Sequence, residues 1–476
     1  MHGARGQRRE RPLHVRHASR KPRRAAAAAA RSRHSPSADR HVHGAILTQR
    51  NSSGHLILGE IGAERLADEY GTPLLVIDLD VVDAAVESLS RCAPAGELEI
   101  CYAAKAFATI EFFRHLKALP IGLDVCSLGE LVTAERANIA PERLTLHGAG
   151  KSDAELRAAC DARVGLIVVD GIEELERLAR LARDTGARVN AILRLNVGIE
   201  ARTHAFVRTG GDDTKFGIHP RDETAAIAIL QEHPGLFFAG VHAHLGSQIF
   251  QRDAYVAHAR ALVEAAARFA AAGLNAQRIV VGGGFGVGTH PNAESLDIPA
   301  TLGAMLEVLR AGAREHRFPV PLLGIEPGRA IVARAGTTLY RVLAVKRQSE
   351  RIFVIVDGGI AENPRPALYG ARHHVVAGRL HSTATEPMTL CGRSCENDEL
   401  GTVALPTDIR SGDLLAMYAT GAYTYSMAGN YNRFPRPAVV GVAGGSQRLL
   451  ARRESLDDVL RNDVEPVESD RARAAF

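Results

Sequence analysis

Lys105 is the residue of this 476-residue chain whose type and position first suggest chemistry. It stands just after the run Glu99–Ala103, where a side chain would project from the carboxyl end of a β-strand. A lysine amine can form a Schiff base with an aldehyde cofactor, which makes Lys105 a candidate catalytic residue. Most lysines are solvated surface charges, so this interpretation depends on other residues that converge on the same place.

Three further candidates follow other apolar runs of the sequence. Gly282–Gly286 is a glycine-rich segment whose backbone N–H groups can approach a phosphate without interference from Cβ atoms. His244 ends another run and can stack on a flat ring, and the nearby Ser247 can offer a hydroxyl to a phosphate. Glu326 is a carboxylate at a buried strand end and therefore needs a cationic partner, either a protonated pyridine nitrogen or Arg329.

Eight short runs between residues 98 and 326 supply the elements that must position these candidates. Amphipathic segments rich in Ala, Leu, Glu and Arg separate most of the runs. Near-continuous apolar strands that alternate with helices indicate a parallel sheet covered on both faces. Eight such units favour a (β/α)8 barrel of the TIM type over the alternative, a doubly wound open sheet. The runs are Glu99–Ala103, Gly122–Val125, Leu144–His147, Leu166–Asp170, Asn190–Leu195, Phe237–His244, Arg278–Gly282 and Leu322–Glu326.

The candidates fall where such a barrel carries its function. Functional side chains gather at the carboxyl ends of the strands, and phosphates bind after strands seven and eight. Lys105 follows the first run, His244 ends the sixth, and Glu326 ends the eighth. An aldehyde-reactive amine, a phosphate loop, a stacking imidazole and a carboxylate for a ring nitrogen together predict pyridoxal 5′-phosphate (PLP). The glycine segment lacks the Lys-Ser/Thr ending of a P-loop, which argues against ATP, and no metal site is expected.

The pattern changes after residue 330 to alternating apolar and polar runs with few helical signals. This alternation predicts a second, mostly antiparallel β domain at the C-terminus. We therefore expect a disordered basic tail over residues 1–45 and a segment over 46–74 that joins the β domain. The PLP-binding barrel should then span 75–330 and the β domain 331–476.

The charge of the chain is distributed unevenly. Residues 1–40 carry eleven arginines and one lysine against two acidic residues, a net +10, whereas the whole chain carries +4, which leaves −6 for the remainder. This head is typical of a disordered tail, and an organellar transit peptide is the alternative. The acidic body argues against nucleic-acid binding, and the lack of a run of about 18 apolar residues argues against a membrane span. Six cysteines without a signal peptide predict a reduced, cytoplasmic protein.

Longer motifs surround these residues from about residue 60 to 445. They are Tyr102–Ala106, Leu123–Leu131, Thr203–Gly210, Lys215–Gly217, His244–Ile249, Glu326–Arg329, Arg365–Gly370, Cys395–Glu396 and Gly421–Tyr423. Through them the chain resembles the fold-type III PLP-dependent decarboxylases, and specifically the diaminopimelate decarboxylase family. The resemblance implies an alanine-racemase-like barrel plus a β domain, working as a homodimer whose active sites lie at the interface.

The resemblance also implies roles for single residues. Lys105 would be the Schiff-base residue, and Cys395, on a loop from the partner subunit, would donate a proton to Cα after CO2 leaves. The implied cofactor-binding residues are Lys105, His244, Ser247, Gly283, Gly284, Glu326, Gly328, Arg329 and Tyr423. The implied substrate-binding residues are Arg329, Arg365, Tyr369, Glu396 and Tyr423.

The substrate can also be considered from charge. Arg329, Arg365 and Glu396 offer two cations and one anion, which match a distal group bearing both a carboxylate and an ammonium. Meso-2,6-diaminopimelate has such an end, so the expected reaction yields L-lysine and CO2. L-lysine and L-ornithine lack it.

The loop around Cys395 departs from the family pattern and leaves alternatives open. Arg393 and Asn397 stand where the family usually has a Gly-Pro-like entry and a small residue after the glutamate. The alternative is a related decarboxylase acting on L-lysine, L-ornithine or a carrier-bound amino acid in a specialised pathway. A racemase on the same barrel would need two opposed acid/base groups, and retention of Lys105 and Cys395 argues against a non-catalytic descendant.

Overall fold

The computed structural model describes residues 49–198, 214–380 and 382–464. The predicted basic tail and the motif Thr203–Gly210 lie outside these described residues. No helix within them is long and apolar enough to cross a membrane.

The first described elements do not belong to the barrel. They are β1 (Gln49–Arg50), β2 (Leu56–Leu58), β3 (Ile61–Gly62), α1 (Ala63–Tyr70), β4 (Leu74–Asp78) and α2 (Leu79–Ser90). Strands β1 to β3 form a small antiparallel sheet. Leu56, Leu66 and Leu74 from this region pack in one cluster with Leu339 and Val440, which come from the C-terminal part of the chain.

Eight parallel strands within the described residues close into a barrel, which confirms the predicted fold class. Each strand is followed by a helix, and the pairing of the last strand with the first closes the barrel. The units are β5 (Leu98–Ala103) and α3 (Ile110–Leu116), β6 (Gly122–Val125) and α4 (Leu128–Arg136), β7 (Leu144–Leu146) and α5 (Asp153–Ala162), β8 (Leu166–Val169) and α6 (Ile172–Thr185), β9 (Val189–Arg194) and α7 (Glu223–Glu232), β10 (Leu236–His242) and α8 (Arg252–Ala271), β11 (Arg278–Val280) and α9 (Ile298–His316), and β12 (Leu322–Ile325) and α10 (Arg329–Val332).

Local sequence explains these units. The strands are short and largely apolar, and all four residues of β8 are buried. Helix α6 buries Leu175, Leu178 and Ala182 at helical spacing, so one face covers the barrel. Helix α5 begins at a capping box in which Ser152 and Glu155 satisfy each other's backbone N–H groups.

A mixed sheet of nine strands occupies the rest of the described chain. Long β13 pairs with β4, β14 and β18, and β4 from the N-terminal region lies between β13 and β19. Most pairings are antiparallel as expected, but β4–β19 and β14–β16 are parallel. The elements are β13 (Gly336–Arg347), β14 (Ile352–Val356), α11 (Arg365–Tyr369), β15 (Val375–Ala377), β16 (Thr385–Cys391), β17 (Glu399–Pro406), β18 (Leu414–Tyr418), β19 (Ala438–Ala443), β20 (Ser446–Ala451) and α12 (Leu456–Leu460).

Candidate active site

A cavity of about 350 Å³ lies at the carboxyl ends of the barrel strands. Six predicted site residues line it from the barrel: Lys105, His244, Ser247, Gly284, Glu326 and Arg329. Three more line it from the C-terminal part: Arg365, Tyr369 and Tyr423. The barrel and the second sheet therefore contribute to one site.

Lys105 lies in the short 3-10 turn Ala104–Ala106 that follows β5 directly. Its side chain is exposed in the cavity, while its neighbours in the turn are buried. The carbonyl of Ala106 accepts hydrogen bonds from Tyr423 N at 2.7 Å and from Ser426 Oγ at 3.2 Å. Tyr423 has a φ of +59°, a left-handed conformation that costs energy for a bulky residue and that this contact helps to hold. The turn that carries Lys105 is thus fixed to the opposite wall of the cavity.

Glu326 directly follows β12 and is held by two histidines. His242 Nε2 lies 3.1 Å from Oε1 and 3.2 Å from Oε2, and His147 Nε2 lies 3.3 Å from Oε1. The same Nε2 atom of His147 is 3.5 Å from Oδ1 of Asp124. Among the described residues Arg329 is not an ion-pair partner of Glu326, so that alternative from the sequence is wrong.

The charges of this cluster follow from burial and neighbours. Burial works to raise the pKa of Glu326, but His242 and His147 together hold it well below its ordinary value. Burial lowers the pKa of His242 to about 4, which leaves that ring as a neutral donor. Burial also opposes a charge on His147, yet Glu326 and Asp124 raise its pKa to about 9. Near neutral pH, Glu326 is therefore ionised and His147 is protonated.

The glycine segment after β11 follows a path that other residues could not take. Gly282 and Gly284 have φ values of +75° and +83°. A Cβ on Gly283 would lie 2.1 Å from the carbonyl oxygen of Glu326. The N–H of Gly283 donates to Nδ1 of His244 at 3.2 Å, and burial lowers the pKa of His244 well below its ordinary value. His244 is therefore a neutral ring that carries its proton on Nε2.

Arg329 and Arg365 place two buried cations beside the cavity. The Arg329 guanidinium donates to Ser247 Oγ at 3.3 Å and lies 4.8 Å from the centroid of the Tyr423 ring. The Arg365 guanidinium lies 5.3 Å from the Tyr369 ring and 5.6 Å from the Tyr423 ring. Burial lowers the pKa of both groups, that of Arg365 to about 10 with the like charge of Arg329 contributing. Neither has a carboxylate partner among the described residues, so the site is suited to an anionic ligand.

Cys395 and Glu396 do not line this cavity. Both are exposed, and the Cys395 backbone N–H donates to Asn432 Oδ1 at 3.4 Å. The carboxylate of Glu396 accepts a hydrogen bond from Tyr431 Oη at 2.6 Å. Asn432 has a φ of +52°, a second strained position at the edge of this loop.

Two predicted glycines lie next to the cavity without lining it. Gly283 supports His244 as described. A Cβ on Gly328 would lie 2.9 Å from Cβ of Ala106, so Gly328 lets β12 approach the turn that carries Lys105.

Four cavity residues with a charged or imidazole side chain were not predicted from the sequence: Asp124, His147, Arg194 and His242. Each is a polar residue in the last two positions of a barrel strand or directly after the strand, a signal close to the one that singled out Glu326. Arg194 pairs with Asp170 at 3.4 Å. Reading every strand end as a candidate position would have found all four.

The family comparison agrees with this cavity. The model described as "Pyridoxal-dependent decarboxylase, pyridoxal binding domain" matches residues 79–333, just over half of the chain. Fold, cavity and match define the class as a PLP-dependent decarboxylase with a barrel and a second sheet.

Relatives refine this class. A diaminopimelate decarboxylase of Actinosynnema pretiosum subsp. auranticum is 41% identical, covering 88% of this chain and 94% of that protein. The Bacillus subtilis enzyme of the same name is 36% identical, covering 89% and 98%. The solved diaminopimelate decarboxylase of M. jannaschii in complex with L-lysine is 28% identical, with a TM-score of 0.83 and coverage of 88% and 98%. The chain belongs to the diaminopimelate decarboxylase family, a group of carboxy-lyases.

PLP fits the side chains present in the cavity. Lys105 offers an accessible amine, and the glycine segment brings backbone close to the cavity where a Cβ could not fit. Glu326 is a buried carboxylate held ionised, which suits a protonated ring nitrogen. Arg329 Nε is buried without a hydrogen-bond partner among the described residues, so this cation can also take an anionic group. PLP is the cofactor of this family, and these residues can hold it.

Proposed function

We propose that the protein decarboxylates meso-2,6-diaminopimelate to L-lysine and CO2, the last step of lysine biosynthesis. The observation that carries this proposal is the content of one cavity. It holds the amine of Lys105, the ionised carboxylate of Glu326 and the cations of Arg329 and Arg365, which have no carboxylate partner in the part of the chain that the structure describes. The first two suit the cofactor, and the other two suit an amino acid with a second carboxylate.

PLP, when bound, supplies an electron sink that stabilises negative charge at the α-carbon of an amino acid. Lys105 Nζ would bind its aldehyde carbon, and Glu326 would accept the ring N–H. His244 would stack on the ring, and Ser247 would contact the phosphate. The other residues proposed to hold it are Gly283, Gly284, Gly328, Arg329 and Tyr423.

The distal end of the substrate needs both signs of charge. The guanidinium groups of Arg329 and Arg365 would bind its carboxylate, and Tyr369 and Tyr423, which flank them, would complete the pocket. The carboxylate of Glu396 would bind the distal ammonium. L-lysine and L-ornithine have no carboxylate for the arginines, so they should bind poorly.

Cys395 is proposed as the proton donor. Loss of CO2 breaks the bond from Cα to the carboxylate carbon and leaves its electron pair at Cα, which then takes a proton from Sγ of Cys395. Cys395 is exposed and lies outside the cavity of its own chain, so we propose that its loop enters the cavity of a partner subunit. The protein would then work as a homodimer with shared active sites.

The cytoplasm is the proposed location. All six cysteines are free thiols, as expected for a protein in a reducing compartment.

A substrate comparison tests the proposal. The purified protein with PLP should show a visible absorption band and should release CO2 and L-lysine from meso-diaminopimelate. L-lysine and L-ornithine are the matched controls, because they share the reacting end and lack the distal carboxylate. Faster CO2 release from either control would contradict the proposed substrate and favour the related-decarboxylase alternative. Absence of the band would contradict PLP chemistry as a whole.

A further inference from the structure

Asp124 has no role in the chemistry described so far, although it lines the cavity beside Glu326. It stands within β6, its side chain is 8% exposed, and neither carboxylate oxygen has a hydrogen-bond partner among the described residues. His147 Nε2 lies at ion-pair distance from it, 3.5 Å, and 3.3 Å from Oε1 of Glu326. The imidazole of His147 is therefore placed between two buried carboxylates.

The buried cluster of Asp124, His147, His242 and Glu326 carries one more negative charge than positive charge. Asp124 and Glu326 contribute two carboxylates, His147 contributes one cation, and His242 is neutral. Buried charges are stable when they are balanced, and a second carboxylate near the first is expected to take up a proton. Burial, followed by the charge of Glu326, raises the pKa of Asp124 to about 7, as this surplus requires. A ligand that brings one positive charge would balance the cluster.

The other titratable groups around the cluster do not supply that charge. Burial keeps the thiols neutral, raising the pKa of Cys101 well above its ordinary value and that of Cys126 to about 12. Arg194 is paired with Asp170, and His244 is neutral. Lys105 faces the cluster from the turn after β5 and is the residue assigned to the cofactor's aldehyde. Among the described residues, the titratable groups that interact with Asp124, His147 or Glu326 are Cys101, Lys105, Cys126, Arg194, His242 and His244.

We propose that Asp124 and His147 form an internal ion pair. The carboxylate of Glu326 is then the unbalanced negative charge, and the protonated ring nitrogen of PLP neutralises it. The two are positioning residues, since they act on the cofactor through Glu326. This inference rests on the proposed cofactor chemistry and deepens it.

The proposal predicts how charge changes combine. Asp124→Asn leaves His147 without its partner, so two cations would compete for Glu326 once PLP binds. His147→Gln leaves two carboxylates for one cation. Asp124→Asn should therefore weaken PLP binding. His147→Gln should not, because the second carboxylate can take up a proton and leave one negative charge for the ring cation. Asp124→Asn with His147→Gln leaves one carboxylate for one ring cation and should restore binding.

The experiment compares PLP with its 1-deaza analogue, which has carbon in place of the ring nitrogen. Equilibrium dialysis of each against the apo-protein gives a ratio of dissociation constants that reports the ring nitrogen alone. At about pH 8.5, Asp124→Asn should raise the ratio of the PLP constant to the analogue constant by about tenfold, since one buried cation is left unbalanced, whereas His147→Gln should not raise it. The double variant should return to within about threefold of the parent.

pH provides a second readout with a defined sign. Below the Asp124 pKa of about 7, the protonated carboxyl is as neutral as an amide. The effect of Asp124→Asn on the ratio should therefore be large at about pH 8.5 and small at about pH 6. This comparison stands alone if His147→Gln does not fold.

The matched control is His115→Gln, which breaks a histidine–carboxylate pair with Asp83 at 2.6 Å outside the cavity. It should leave the ratio unchanged. Equal loss of both ligands in Asp124→Asn, or a double variant whose ratio is no lower than that of Asp124→Asn, would overturn the ion-pair role. A parent protein that binds neither PLP nor substrate would instead overturn the proposed function.

Discussion

The barrel cavity and the loop around Cys395 hold their functional side chains in opposite ways. Glu326, His147 and His242 are on or directly after barrel strands, packed against one another and shielded from water. Cys395 and Glu396 are exposed, and each makes one hydrogen bond to the neighbouring segment Tyr431–Arg433. The cavity residues contact one another within a single chain, whereas the side chains of the loop around Cys395 are exposed to solvent.

This difference suggests a division of labour. Groups that hold the cofactor need a fixed electrostatic environment, which strand ends in a closed barrel supply. Groups that meet the substrate must admit it and release the product, and an exposed loop permits that. If the loop of one chain closes the cavity of another, the cavity residues fold with the chain, and only the contribution of Cys395 and Glu396 depends on assembly.

The largest effect is expected at the cavity. Lys105→Ala should lower kcat by about 10⁴-fold or more, because it removes the amine that would bind the aldehyde of PLP. Steady-state release of CO2 from meso-diaminopimelate measures this. Lys117→Ala, an exposed lysine after α3, is the matched control and should keep full activity. Activity in Lys105→Ala close to that of the control would contradict the assignment of the cavity.

Cys395→Ala should lower kcat by about 10²- to 10⁴-fold, the range for loss of a proton donor. PLP binding should persist, since Cys395 is not among the residues proposed to hold the cofactor. Cys391→Ser is the matched control, because this half-buried thiol is four residues away.

Mixing the two inactive variants tests whether the regions belong to different chains. If Lys105 of one subunit works with Cys395 of its partner, a randomly paired mixture contains one intact site in half of its dimers, or about a quarter of full activity. No recovery after co-expression, with heterodimers verified by tag purification, would place both residues in the same chain.

The cavity was more predictable than the loop for a physical reason. Lys105, His244 and Glu326 follow strands whose apolar runs can be read along the sequence. The Asp124–His147–Glu326 contacts join residues from three strands, and such contacts depend on how the strands close. The position of β4 between β13 and β19 could not be predicted either, because the alternation of residues along one strand does not specify its pairing partners. The role proposed for Cys395 involves a second chain, which the pattern of one sequence does not describe.

Glu396→Gln tests the substrate-binding role proposed for the loop around Cys395. Loss of one charged contact to the distal ammonium should raise KM for meso-diaminopimelate by about 10- to 100-fold, corresponding to the strength of a hydrogen bond to a charged group. The kcat should change far less, because the reacting end is held elsewhere. Glu399→Gln on the next strand is the control, since its carboxylate pairs with Arg351 at 2.9 Å. A fall in kcat with an unchanged KM would contradict a role in binding.

Tyr431→Phe should raise KM as Glu396→Gln does, and its effect should be the smallest of these substitutions. Its hydroxyl donates to Glu396 at 2.6 Å, and the phenyl ring keeps the packing while removing that bond. KM should rise by about two- to tenfold, the value of one ordinary hydrogen bond, because Glu396 then samples more positions. In Glu396→Gln the carboxylate that Tyr431 positions is already gone, so adding Tyr431→Phe should have little further effect on KM. Fully additive effects of the two changes would show that the exposed loop is positioned by other contacts, and the contrast with the fixed cavity would then be greater.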